Sequence, residues 1–281
     1  MQFSTVDRSH LPDYARSSDP AEIYLVGLRR SLVRIWRGSA PPHLESTSCG
    51  NCPAPTVEDQ YKGTMKPAPG RNPRVCYSCD RLAVTREHAP PVCLFPAEMR
   101  SGLITVPSCP LHNNANAKDV EYVRNVICCA ADPLSPHSGP AFSSMMRSIE
   151  RRPAIAGTTF DNLREIRFDG EETGAFDVDL RRFGRVMTAI AQAIHYHDFG
   201  GKIRYWHVFC PSLQTLSAQP DGWEPLRRTV QVTRYAYQHT AYPKVFSYGR
   251  AVFSKKSWAL YQFVFYDALI VNAWPSKRQF R

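Results

Sequence analysis

The spacing of apolar residues changes several times along the chain, and each change predicts an element. In residues 21–37, AEIYLVGLRRSLVRIWR, the apolar side chains of Ile23, Leu25, Val26, Leu32, Val33 and Ile35 stand against Arg29, Arg30, Arg34 and Arg37. This is the pattern of an amphipathic helix opened by Pro20, and the polar residues before it read as a loose arm. Residues 39–73 are rich in Pro, Gly, Ser and Thr and read as a linker. Two short β-prone runs at 82–85 and 103–106, fenced by Pro90, Pro91, Pro96 and Pro107, predict a hairpin. Val120, Val123 and Ile127 then recur at helical spacing, with Tyr122 and Val126 widening the face, so a helix is expected to cover the hairpin.

Beyond it, Pro133, Pro136, Pro140 and Pro153 break the pattern into short helical pieces carrying Met145, Met146, Arg147, Arg151 and Arg152. Glu171 and Glu172 fall in a polar turn around Gly170 and Gly174. From Asp177 a second organised region begins. Leu180, Phe183, Met187, Ile190 and Ile194 form a helical stripe that Gly200 and Gly201 close. Strand-type runs follow at 203–209, 229–237, 244–253 and 258–271, where the alternating aromatics suit a sheet core or, less simply, a platform for stacking bases. The expected fold class is α+β. Its parts are an arm and helix (1–38), a linker (39–73), a hairpin–helix unit (74–131), a connector (132–176) and an α+β accessory domain (177–281).

Composition narrows the setting. With 43% hydrophobic residues among 281, the chain can bury a core as one large or two small domains. A net charge of +10 and a pI near 9.3 favour a polyanionic partner such as nucleic acid, although many basic proteins bind none. The basic face of residues 21–37 likewise fits either a phosphate backbone or plain solvation. No run of about 18 apolar residues exists, so no membrane span is expected. Nine cysteines, an odd number at metal-like spacings with no apolar signal region, point to a reducing compartment, with cytoplasm the expected location.

The candidate chemistry lies between Cys76 and Arg124. Cys76 and Cys79 form one Cys-x-x-Cys pair, and Cys109 with His112 forms a Cys-x-x-His pair on the far side of the hairpin. Together they offer the four nitrogen and sulfur ligands that a structural zinc takes. Cys49 and Cys52 are a rival pair, able to join Cys76 and Cys79, or Cys128 and Cys129, in a different site. Glu87 and His88 end the first strand, where the Ala89-Pro90-Pro91 sequence stops the pleat and leaves both side chains usable. Asn113 follows the last zinc ligand. A carboxylate and an amide are hard donors suited to Mg²⁺ or Mn²⁺, and a neutral His88 beside them would deprotonate a water for phosphodiester hydrolysis. His195 and His197 stand two apart on a predicted helix, hence on different faces, and suit packing or surface roles better than a metal.

The phrases REHAPP, LFP, LITVPSC and HNNANAKDVEYVR resemble the HNH endonucleases of the ββα-metal fold, in the branch whose hairpin holds a structural zinc. The likeness covers about fifty residues from Cys76. It implies His88 as general base, Glu87 as acidic metal ligand and Asn113 as the last metal ligand. Asn114, Lys118 and Asp119 fall where that family keeps polar residues that orient the site or touch phosphate. Two features depart from the pattern: His112 replaces the usual last cysteine, and Ala117 stands where the third histidine would be.

The resemblance implies a DNA endonuclease that docks its metal on a phosphate of double-stranded DNA and serves phage defence, restriction or mobile elements. Base specificity would come from the flanking regions, since such a unit mainly reads backbone. Two other readings stand beside it. One is a catalytically inactive zinc-containing nucleic-acid-binding module. The other is a nuclease subunit that acts only in a larger complex, with a protein partner on the C-terminal domain.

Overall fold

The computed structural model describes residues 75–114, 116–168, 171–211, 213, 234–252 and 259–276. The helix expected at 21–37, the linker at 39–73, and Cys49 and Cys52 with it, lie outside the described residues. Within them the class is α+β, as the changes of period required.

The first hairpin pairs β1 (Thr85–His88) antiparallel with β2 (Thr105–Ser108), His88 standing opposite Thr105 and Thr85 opposite Ser108. Both strands sit later in the chain than their apolar runs. Leu82 and Val84 are exposed, and Leu82 instead bridges to Val75 to close the cysteine knuckle. Hydrophobicity there reflects local closure rather than core. Two single turns of 3-10 helix, Val92–Leu94 and Ala97–Met99, bring Leu94 and Phe95 under the hairpin. A one-turn helix α1 (Pro110–Asn114) leads into α2 (Ala117–Ala130), whose Tyr122, Val123, Val126 and Ile127 are buried as their spacing demanded.

The stretch between Pro133 and Pro153 is more regular than its prolines suggested. It holds α3 (Gly139–Arg151), with Pro140 at the helix start where no N–H is needed, followed by the short α4 (Ala154–Thr159). Glu171 and Glu172, expected in a turn, instead belong to β4 (Glu171–Ala175), which pairs with β3 (Arg164–Phe168). Tertiary anchoring outweighs the poor strand propensity of Glu and Gly here. Ala175 and Phe176 are fully buried, Arg164 pairs with Asp177 at 2.8 Å, and the Asn162 side chain accepts from the Asp177 N–H at 2.9 Å.

α5 (Leu180–Phe199) is the central element. Asp179 caps it, its carboxylate accepting from the N–H groups of Arg181 and Arg182 at 2.9 and 3.1 Å. Gly200 closes it in the left-handed conformation at φ 69°, which glycine adopts without steric cost. On one side α5 packs against α2 and β2, and on the other against β5 (Trp206–Phe209) and the strand paired with it. The sheet runs in the order β5-β9-β8-β7-β6, all antiparallel, with β6 (Ala236–Gln238), β7 (Phe246–Val252), β8 (Ala259–Phe265) and β9 (Leu269–Pro275). The single apolar run at 258–271 is therefore two strands. Tyr266 and Asp267, both at φ 53°, reverse the chain between Phe265 and its partner Leu269.

One buried cluster runs from the hairpin through α2 and α5 to the sheet, so the hairpin–helix unit and the C-terminal region share a core. Tyr248, Tyr261, Phe263 and Phe265 are in it, which settles them as packing, each burial being worth about 1.5–3 kcal/mol. Polar contacts fix the geometry of the α2–α5 junction. Arg182 and Arg185 grip the two oxygens of Asp119 at 2.9 and 2.8 Å, Arg182 lies over the Tyr122 ring, and the Tyr122 hydroxyl accepts from the Asp179 N–H at 2.7 Å. Burial alone would raise the Asp119 carboxyl, but the two guanidinium groups outweigh it and hold it below its usual range. No described helix is long and apolar enough to cross a membrane.

Candidate metal centre and adjoining cleft

Backbone closure builds the metal centre. The Cys76 N–H donates to the Arg81 carbonyl and the Tyr77 N–H to the Pro107 carbonyl, both at 2.9 Å, so the first knuckle is tied to β2 just before Cys109. The Asn113 N–H donates to the Cys109 carbonyl at 3.0 Å and winds α1 so that His112 turns back on the cysteines. The ligand atoms of Cys76, Cys79, Cys109 and His112 all lie within 4.8 Å of one another. Tetrahedral zinc, with Zn–S about 2.3 Å and Zn–N about 2.0–2.1 Å, requires S···S edges of about 3.8 Å and S···N edges of about 3.6 Å. Cys79 and Cys109 are 3.8 Å apart, Cys76 Sγ is 3.7 Å from His112 Nδ1, and Cys109 Sγ is 3.2 Å from it. The residues present thus fit a metal ion such as zinc.

Electrostatics favour the ligating form at Cys76 and His112, whereas burial and the neighbouring thiols raise Cys79. Burial raises the Cys76 thiol, but backbone N–H groups of Ser78, Cys109 and Cys79 together outweigh it and leave the thiol below its ordinary value. Burial, with the nearby Arg81 charge, lowers the His112 imidazole and keeps it neutral. Cys128 and Cys129 lie buried on α2, and burial pushes the Cys128 thiol up to about 12. They are packing residues and no part of the described metal cluster.

Glu87 and His88 face a small cleft beside this centre. Both line it together with Pro91 of the same segment and Asn116 and Val120 of the α2 start, while Val186, Ala189, Ile190 and Ala193 of α5 form the opposite wall. Glu87 is held by a neighbour of the cluster: Ser108, next to Cys109, donates to its Oε2 at 3.3 Å, and Tyr77, next to Cys76, acts on the same carboxyl to lower it. Burial nevertheless raises the Glu87 carboxyl above its usual value. A residue beside the Cys3His cluster therefore holds the Glu87 carboxyl.

The other expected site residues are distributed around this core. Asn113 is half-buried on α1 and does not line the cleft, and Asn114 is the last residue of α1. Lys118 is exposed, and its carbonyl accepts from Arg182 at 3.0 Å. Asp119 is engaged by Arg182 and Arg185. His195 is buried against Trp206 and Tyr261, and His197 is exposed, so the two do face different ways. Sequence reasoning missed Asn116, whose side chain makes no capping bond at the head of α2, and missed Tyr77 and Ser108. Adjacency to the ligand cysteines was the available signal for the last two.

Fold and site together define an α+β protein with a Cys3His cluster suited to a metal ion such as zinc. Comparison with protein-family models, curated proteins and solved structures gives no match to the chain.

Proposed function

We propose that this chain is a metal-dependent endonuclease of the HNH type that hydrolyses DNA phosphodiester bonds. The observation that carries this reading is that Glu87 and His88 end one strand and share one cleft, beside a Cys3His cluster that zinc fits. The motif resemblance supplies the substrate class, and the net charge of +10 favours a polyanion. With four protein ligands and no open position, the zinc is structural.

In this reading His88, in its neutral form, takes a proton from the water that attacks phosphorus. Glu87 would hold Mg²⁺ or Mn²⁺ together with an asparagine, Asn113 by its place in the motif or Asn116 by its place in the cleft. A bound divalent ion supplies positive charge for the developing phosphorane and the leaving oxygen. A carboxylate and an amide oxygen suit such an ion better than a second zinc. Ser108 holds the Glu87 carboxylate in one orientation. Phage defence, restriction and mobile-element movement are the settings that such an activity serves.

One feature of the cleft favours a second form of the same reading. Its free volume is about 10 Å³, room for about one water and not for a phosphodiester. A cleft this tight against the apolar wall of α5 favours a nuclease that works best when a partner or the DNA itself widens it.

The test is nicking of supercoiled plasmid by wild-type and His88→Ala protein with Mg²⁺, Mn²⁺ or chelator. Cutting by the wild type alone, abolished by chelator, is expected for a free-standing enzyme. If activity is gated by α5, Val186→Ala should raise the rate by widening the cleft. DNA binding without cleavage by wild type and Val186→Ala alike, with every metal, rejects the free-standing enzyme and leaves a binding module.

A further inference from the structure

A second cavity lies one helical turn from the cleft. Val120 lines the cleft and Arg124, four residues further along α2, lines this cavity of about 230 Å³. Its walls come from the segment after β1 and from the first turns of α3, and three arginines converge on it: Arg100, Arg124 and Arg147. Ser143 and Ser144 add two hydroxyls, and Arg147 follows them at helical spacing on the same face of α3.

What sets this cavity apart is that three arginines line it against one carboxylate. Arg152, Arg164, Arg182, Arg185 and Arg250 each pair with a carboxylate. Among the described residues, none of the three cavity arginines has an ion-pair partner, and Glu98 is the one carboxylate in the lining. Three guanidinium groups against one carboxylate leave two positive charges converging on one small space. The arginines are also pre-positioned. Arg124 donates through Nε and Nη2 to Asn125 Oδ1 at 3.3 and 3.0 Å, and fully buried Asn125 is itself held by a bond from its Nδ2 to Thr159 Oγ1 at 3.1 Å. Arg100 donates through Nε to the Phe95 carbonyl at 3.1 Å. Each keeps further N–H donors for a ligand. Burial and the Glu121 charge push the half-buried Cys93 thiol up while the Arg124 and Arg100 charges pull it down, so both arginines reach the same part of the cavity, and Glu121 is itself paired with Arg152. The first turn of α3, with Pro140 and Ala141 in the wall, adds the partial positive charge of a helix start.

We propose that this cavity is a binding site for a phosphate group, recognised by Arg100, Arg124, Arg147, Ser143 and Ser144. Planar guanidinium groups and hydroxyls match phosphate oxygens, and a phosphomonoester carries about two negative charges, the surplus this cavity offers. The volume falls below the range of about 300–1,000 Å³ for drug-sized ligands and suits a single phosphate with little attached. The phosphate is either that of a free ligand or one in a nucleic-acid backbone that also reaches the cleft, one turn of α2 away. In the second case the inference rests on the endonuclease reading; in the first it stands without it.

The experiment measures pyrophosphate and inorganic phosphate binding by calorimetry, and duplex DNA binding by anisotropy over a salt series. It uses His88→Ala protein as background and adds Arg124→Gln/Arg147→Gln on it. Arg147→Gln alone is the safeguard for folding, because Arg147 is exposed and bonds no described side chain. Alkylation of Cys93, followed by mass spectrometry, reports occupancy independently of activity. A free phosphate ligand predicts pyrophosphate binding that protects Cys93 and weakens at least about tenfold in the variants, with DNA affinity unchanged. A backbone phosphate predicts weaker DNA binding and a salt slope lower by about one per arginine removed. No protection of Cys93 by pyrophosphate or DNA, together with an unchanged salt slope, overturns the site. Because these readouts need no cleavage, their failure is distinct from loss of the nuclease reading, which the plasmid assay reports.

Discussion

Cys109→Ser tests the metal centre at the ligand that joins its two halves. Cys109 Sγ touches both the first knuckle, at 3.8 Å from Cys79 Sγ, and the second, at 3.2 Å from His112 Nδ1. Its removal leaves an incomplete tetrahedron at the base of β2, under the residue that holds Glu87. A protein that holds zinc at a free concentration a thousand times its dissociation constant gains about 4.1 kcal/mol from it. For a chain of this size, with about 2–4 °C of melting temperature per kcal/mol, the loss should lower Tm by about 8–16 °C. Zinc per chain by atomic absorption and Tm by calorimetry, both in reducing buffer, make the assay. Cys93→Ser serves as the control because that thiol lies outside the cluster. Cys109→Ser should carry one zinc fewer than wild type and melt with the chelator-treated protein, while Cys93→Ser matches wild type. Full zinc content and a wild-type Tm in Cys109→Ser would refute the assignment.

Two further outcomes follow from the core. His195 is buried between α5 and the sheet, where desolvation depresses its imidazole to about 4 against the partial opposition of Asp198. Because the folded value lies below the unfolded one of about 6.5, its contribution is present above that pH and is lost as pH falls from 6.5 towards 4. At pH 4.5 wild type should have lost about 2.5 kcal/mol on this account, and urea titrations of His195→Leu should show a correspondingly flatter acid limb; equal slopes would defeat the argument. Asp179→Ala removes the cap at the head of α5 and should cost about 1 kcal/mol in urea unfolding, whereas Asp179→Asn should cost much less.

Local spacing determined what local physics controls. The Cys-x-x-Cys and Cys-x-x-His pairs marked the Cys3His cluster because a knuckle can present its side chains to one point from a few consecutive residues. The stripes Val120–Val123–Ile127 and Leu180–Phe183–Met187–Ile190 marked α2 and α5 because the helix period is a property of the backbone alone. The end of β1 at His88 followed from the prolines after it.

Tertiary structure decided the rest. It split 258–271 into β8 and β9, since one apolar run buried along its length looks the same whether or not it reverses. It turned Glu171 and Glu172 into a strand through the burial of Ala175 and Phe176 beside them. It set α5 across the cleft, held by Asp119 with Arg182 and Arg185, residues more than sixty positions apart. It brought Asn116 rather than Asn113 into the lining with Glu87 and His88, and it gathered Arg100, Arg124 and Arg147 from three elements around one cavity. No periodicity carries such meetings, because they arise when separate faces find one another in a shared core and the polar groups at the edges take the partners that packing leaves within reach.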